Sequence, residues 1–292
     1  MHFHSMIARR TLALVACSAA LACERVVSLD LPLRTTRLVV EARIERAAVA
    51  PSGHQEVRLT LTDGYFSDRA APPANGALVR IQDDSGHVFP FVESASDPGL
   101  YSTDALVGNI GRVYTLLVDY QSEQYEAQDS LRAVAPIDSL YFEPRHPTDK
   151  NPGLRATIDI SDPPQLGNNY LWDQFVDGVR VLSPDSSSGT RAVASDQFQN
   201  GTHVKEVQPY GGIAVLPGQL VTIRQMALSA QAFRFYSDLS NQASQVGSPI
   251  GVALANVRGN VANVTIHDHF ALGYFIATQV AERSARVPNA TK

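Results

Sequence analysis

Short runs of alternating apolar and polar residues, cut at intervals by turn formers, dominate this chain from Arg37 onward and restrict it to folds in which half-buried strands pack face to face. Residues 37–44, 57–62, 77–82 and 88–92 each follow the two-residue period, and Asp83-Asp84-Ser85-Gly86 supplies the turn that makes the last two a hairpin. Residues 100–102, 113–118 and 124–127 continue the series, punctuated by Pro98-Gly99 and Gly108-Asn109. This density of short strands predicts an immunoglobulin-like β-sandwich over residues 37–135. It carries no Cys–Trp–Cys framework, so it must hold without a disulfide.

Ala133-Val134-Ala135 closes the first set, and residues 136–142 open a second, β-rich domain over residues 136–281. Residues 154–161 alternate, Asp162-Pro163-Pro164 breaks them off, and residues 170–176 pair across Asp177-Gly178 with 179–182. Residues 183–190 read as a mobile polar loop, and 218–226 as a strand. One helix is predicted near residues 229–242: Ser229 can cap it, and Ala232, Phe235, Tyr236 and Leu239 share one face, suited to covering an open end of the β domain. Residues 251–254, 261–266 and 271–280 complete the domain, and 282–292 read as a polar tail. The fold class is therefore mainly β, two β-sandwich (immunoglobulin-like) domains with one α-helix in the second. No fixed-period repeat supports a propeller or a solenoid.

At the amino terminus, Arg9 and Arg10 precede an apolar run over residues 11–22. At about 1.5 Å per residue such a helix reaches about 18 Å, short of the ~30 Å hydrocarbon core, which predicts a cleaved signal peptide over residues 1–22 and not a membrane span. The twin arginines lack the flanking Ser and Phe-Leu-Lys of the twin-arginine route, so export of Sec type is expected. Leu21-Ala22-Cys23 resembles the end of a lipobox, making Cys23 the expected lipidation site and residues 23–36 a tether. Two alternatives stay open: Leu14-Val15-Ala16-Cys17 matches a lipobox better but leaves a very short apolar run before it, and Ala20-Leu21-Ala22 also suits general signal peptidase and a soluble periplasmic product. Cleavage before Cys23 removes Cys17, so the single remaining thiol forms no internal disulfide. Several acyl chains there would hold the protein to a membrane without embedding it.

The 29 acidic and 24 basic residues give a net charge of -5, which offers no broad cationic surface to nucleic acid or anionic lipid. Nucleophile-elbow, zinc-helix, P-loop and dinucleotide-binding spacings are absent, so neither an enzyme nor a cofactor is expected. The carboxylate pairs Asp83/Asp84 and Asp159/Asp162 fall where turns use Asp to bind backbone. His267 and His269 would project from one face of a strand as weak metal candidates, although two ligands do not make a site. Phe198 and Tyr210, around the Asn200-Gly201 turn, are the candidate ligand-binding aromatics, whereas Trp172 alternates with Tyr170 and Gln174 and belongs in the core.

Several landmarks resemble one family in order and spacing: Cys23-Glu24-Arg25-Val26-Val27, Leu29-Asp30-Leu31-Pro32, Leu38-Val39-Val40-Glu41-Ala42, Gly76-Ala77, Pro98-Gly99-Leu100-Tyr101 and Gly111-Arg112-Val113-Tyr114-Thr115-Leu116. Pro136-Ile137-Asp138-Ser139-Leu140, Asn256-Val257-Arg258-Gly259-Asn260 and Ala271-Leu272-Gly273-Tyr274-Phe275 extend the likeness over nearly the whole mature chain. The chain thus resembles domain-of-unknown-function family 4249, uncharacterised bacterial outer-membrane lipoproteins often encoded beside TonB-dependent receptors. The resemblance implies a membrane-anchored, non-enzymatic ligand-binding or assembly accessory to such a receptor, favours Cys23 over Cys17, and brings no catalytic residues. An envelope hydrolase or metal-dependent enzyme, and a structural adhesin-like module, are the competing expectations.

Overall fold

Strand β1 (Leu38–Ala47) shows how the alternation is used: Leu38, Val40, Ala42 and Ile44 turn into an apolar core, while Val39, Glu41, Arg43 and Glu45 face the other way. The computed structural model describes residues 35–63, 69–144, 153–181, 192–197, 200–245 and 257–289. The expected signal peptide, Cys23 with most of its tether, the loop at 183–190, Phe198 and the strand at 251–254 lie outside them.

β1 is followed by β2 (Gln55–Leu61), β3 (Leu78–Asp83), β4 (Val88–Glu93), β5 (Leu100–Thr103), β6 (Val113–Tyr120) and β7 (Glu123–Ser130). The sheet order β1-β2-β5-β4-β3-β6-β7 turns a corner at β4, which pairs with β3 through Val79–Phe91 and with β5 through Val92–Ser102. β3, β6 and β7 thereby close over β1, β2 and β5, and Ile44, Leu59, Ile81 and Leu116 meet in the core between them. Each such side chain contributes roughly 1.5–3 kcal/mol by leaving water. This is the sandwich the period-two pattern predicts.

The second series is β8 (Ile137–Pro144), β9 (Leu154–Ser161), β10 (Asn169–Val176), β11 (Val179–Arg180), β12 (Ala192–Ser195), β13 (His203–Val207), β14 (Leu220–Leu228), α1 (Ala230–Gln245), β15 (Ala262–Asn263) and β16 (Leu272–Arg286). β13, β9 and β8 form a separate sheet, and a second core containing Ile158, Trp172, Ile223 and Val287 lies beneath it. On the opposite face of β10, β14 and β16, Ala232, Phe235 and Tyr236 of α1 pack with Leu171, Met226, Tyr274 and Ile276 in a third core. The helix starts where the sequence places it: the Ser229 hydroxyl accepts the Ala232 N–H at 3.2 Å. It covers the outer face of the continuous sheet, with Leu239 at its exposed rim.

β16 joins the two series. It runs parallel to β1, from Val39–Leu272 to Ala47–Val280, and antiparallel to β14, from Leu220–Arg286 to Met226–Val280. The change at residues 135/136 is thus a change of covering layer on a sheet that continues through both series. Gly273 makes the parallel entry possible: its φ is +87°, and a Cβ there would stand 2.0 Å from the Val40 carbonyl oxygen.

Two expectations are corrected. Residues 282–286 of the expected polar tail are strand, because a solvated edge face needs main-chain pairing with β14 but no apolar period. The strand expected over 261–266 shrinks to Ala262–Asn263, since the Asn263 side-chain oxygen accepts the Thr265 and Ile266 N–H groups and turns the chain.

Candidate functional site

The outward face of β1 becomes a buried charge network when β10, β11, β14 and β16 line up beside it. Arg43 reaches Asp173 at 3.4 Å and Glu45 at 3.5 Å; Arg180 also bonds Asp173. Arg224 holds Glu45 at 2.6 Å and reaches Glu282 at 3.5 Å. Asp173 is 1% exposed, so its two guanidinium partners are what make its charge tolerable there. Burial works against the charge of Arg43, but Tyr236, Asp173 and Glu45 outweigh it and hold its proton more firmly than usual. Burial likewise opposes ionisation of Glu45, and Arg224 and Arg43 overcome it, keeping that carboxyl below its ordinary range.

Beside this network, a cleft of about 320 Å³ opens between α1 and the β1/β16 ledge. Phe235, Tyr236 and Leu239 form the helix wall; Val39, Leu272 and Tyr274 form the other. The Phe235, Tyr236 and Tyr274 rings interlock, with centroids 5.2, 4.8 and 6.2 Å apart, which fixes the walls in place before any ligand arrives. Glu41 and Arg43 carry the charge of the cleft. Arg43 is engaged as above, whereas no hydrogen bond or ion pair occupies the exposed Glu41 carboxylate among the described residues. A small concave site with apolar walls and one convergent charge is the usual form of a small-molecule pocket.

A larger hollow of about 400 Å³ lies by Arg132, Gly167, Asn168 and Leu228. Its Gly167–Asn168 side is already engaged: Asp196 accepts the Gly167 and Asn168 N–H groups, and the Asn168 amide donates to Pro163 and Gln165 carbonyls. The α1 cleft is accordingly the stronger candidate.

The residues singled out from sequence fall elsewhere. Tyr210 lies in the second core, 8% exposed, its hydroxyl donating to the Trp172 carbonyl at 3.0 Å; burial raises its pKa to about 12. Trp172 is core, and its indole N–H donates to Gln225 at 2.8 Å. Phe198 and Cys23 lie outside the described residues. His267 and His269 lie within a turn, closed by the His269 N–H donating to the Ile266 carbonyl, and do not share a strand face. His267 Nδ1 lies 3.1 Å from the Asn263 carbonyl, while His269 places Nδ1 2.8 Å from Glu123 and Nε2 2.9 Å from the Thr36 carbonyl. The Thr36 carbonyl and the Glu123 carboxylate raise the pKa of His269, since only the doubly protonated ring donates to both. Among the described residues no group of three or more His, Cys, Asp or Glu side chains is placed to hold a metal ion. Asp83 binds the Ser85 and His87 N–H groups within its turn, and Asp162 accepts the Tyr170 hydroxyl at 2.5 Å.

Sequence reasoning missed Glu41, Arg43 and Asp173. Their signal was the stripe Glu41, Arg43, Glu45 on one face of a strand, a pattern that ordinarily marks solvent.

The family described as Domain of unknown function (DUF4249) matches residues 24–284. No curated protein matches the chain. Among solved structures, the chicken CNTN1 FN1-FN3 domains align at a TM-score of 0.24 and 9% identity, over 65% of this chain and 60% of that one. The native alfa-L-rhamnosidase of Aspergillus terreus aligns at 0.24 and 12% identity, over 68% of this chain and 28% of that one. The Yersinia pseudotuberculosis adhesin InvE aligns at 0.20 and 19% identity, over 66% and 55%. This chain therefore spans less than two thirds of each of these structures. Among the described residues, no helix is long and apolar enough to cross a membrane.

Proposed function

We propose a function on the premise that this chain belongs to the DUF4249 family, the Domain of unknown function matched over residues 24–284: it is a cell-envelope lipoprotein, exported by a Sec-type signal and anchored to the outer membrane through Cys23, that captures a small ligand as an accessory to a TonB-dependent receptor. The cleft beside α1 is the observation that carries ligand capture. Its walls are interlocked aromatics and aliphatics, and it keeps an unengaged carboxylate among the described residues, the combination of apolar walls and a placed polar group that small-molecule sites use. Cys23 supports the anchor, being the sole thiol left once residues 1–22 are removed. The accessory role rests on the family resemblance and calls for its own test. Affinity purification of the tagged full-length protein from detergent-solubilised outer membranes is expected to bring down a TonB-dependent receptor in near-stoichiometric amount. Recovery of the protein alone, under conditions that preserve other outer-membrane complexes, would contradict the accessory role.

A further inference from the structure

We propose that the α1 cleft selects an organic cation, a small amine or guanidine carrying an apolar body. The proposal rests on the cleft being a ligand site and specifies its chemistry.

The electrostatics of the cleft follow from tracing each cation near Glu41 to its partner. Arg58, opposite Glu41 across the β1/β2 pair, is clamped by both oxygens of Asp97 at 2.7 and 2.5 Å. Arg43, two residues along the same strand face, is divided between Asp173 and Glu45. Arg258, next to the cleft residue Val257, stacks on the Phe270 ring at 3.9 Å. The partner of Glu41 on β16 is Tyr274, which brings no positive charge. Each of these guanidiniums is thus bonded or stacked elsewhere; Arg58 feels the charge of Glu41 only at a distance, and Glu41 is left, among the described residues, without a hydrogen bond or ion pair in a cleft whose lining also includes Arg43, Gln242, Val39, Leu239, Leu272 and three aromatic rings. An anion entering it would meet like charge without a free donor. A neutral apolar molecule would leave the carboxylate beside a desolvated surface. An ammonium or guanidinium satisfies Glu41 with a charge-assisted hydrogen bond while its hydrocarbon lies along the apolar walls.

Three probes of similar shape separate the possibilities: phenethylammonium, phenethyl alcohol and 3-phenylpropanoate, titrated by ligand-observed NMR into the full-length mature protein in detergent. The ammonium is expected to bind tightest, and Glu41→Gln to weaken it about tenfold while leaving the alcohol unchanged. Glu41 is exposed, so that variant keeps the fold. Leu239→Trp, which fills the rim, is expected to abolish binding of every probe. Binding that is lost in Leu239→Trp but is equal for all three probes, or is insensitive to Glu41→Gln, overturns the cation inference and leaves the ligand site standing. Probes that bind identically to wild type and Leu239→Trp, or do not bind at all, overturn the ligand site and the inference together.

Discussion

β1 and β10 lie in the same sheet and were built under opposite constraints. In β1 one face meets the first core and the other carries Glu41, Arg43 and Glu45, so the strand alternates cleanly. β10 is covered on both faces, by β9 and its neighbours on one side and α1 on the other, and its residues from Asn169 to Gln174 are all buried. A doubly covered strand ordinarily reads as a continuous apolar run. β10 nevertheless contains Asp173 and Gln174. The contrast teaches that polar residues on a singly covered strand follow from solvent, whereas on a doubly covered one each needs a partner or imposes a cost. Asp173 has partners. Gln174, 1% exposed, has none among the described residues for either amide atom.

The largest effect is expected where that contrast is sharpest. Asp173→Ala leaves Arg43 and Arg180 facing each other without their shared carboxylate, and should cost about 3 kcal/mol, the lower end for a broken buried pair because both guanidiniums keep some water. Urea unfolding measures it; a loss under about 1 kcal/mol would mean the network is solvated like any surface pair. Gln174→Leu should act in the opposite direction, stabilising by about 1 kcal/mol as an unpartnered amide gives way to an apolar group of similar size. A destabilised variant in the same assay would show that the amide is satisfied after all.

The smallest effect concerns the edge where the described chain begins. His269 binds Thr36 and Glu123 as a cation, and its raised pKa means that folding binds its proton more tightly. The stabilisation is therefore full below the ordinary histidine pKa and disappears as pH rises through the raised folded value. Wild type should lose more stability between pH 6 and pH 9 than His269→Gln does, by a fraction of a kcal/mol for a partly solvated pair, in parallel thermal melts. Equal losses would remove the clamp.

These differences also explain what could be read from residues alone. The first sandwich was legible strand by strand because each strand has one wet face, and the hairpin at Asp177-Gly178 and the Ser229 cap were legible from local chemistry. The end of β16 was not, since its outer face is polar and its pairing with β14 is a main-chain matter. The cleft was hidden for a related reason: Glu41 and Arg43 look like a solvated strand face, and only the parallel β1/β16 pairing and the packing of α1 bring apolar walls up beside them. In sequence Tyr210 is an aromatic near a turn, and only the covering sheet of β8, β9 and β13 explains its burial beside Trp172.

The anchor is the premise on which the proposed role stands, and intact-mass spectrometry of the mature protein from native membranes tests it most directly. The account predicts a chain beginning at Cys23 and carrying the added mass of a diacylglyceryl group with or without a further amide-linked acyl chain. A chain with an unmodified amino terminus, or one that begins elsewhere with Cys23 as a free thiol, would contradict it.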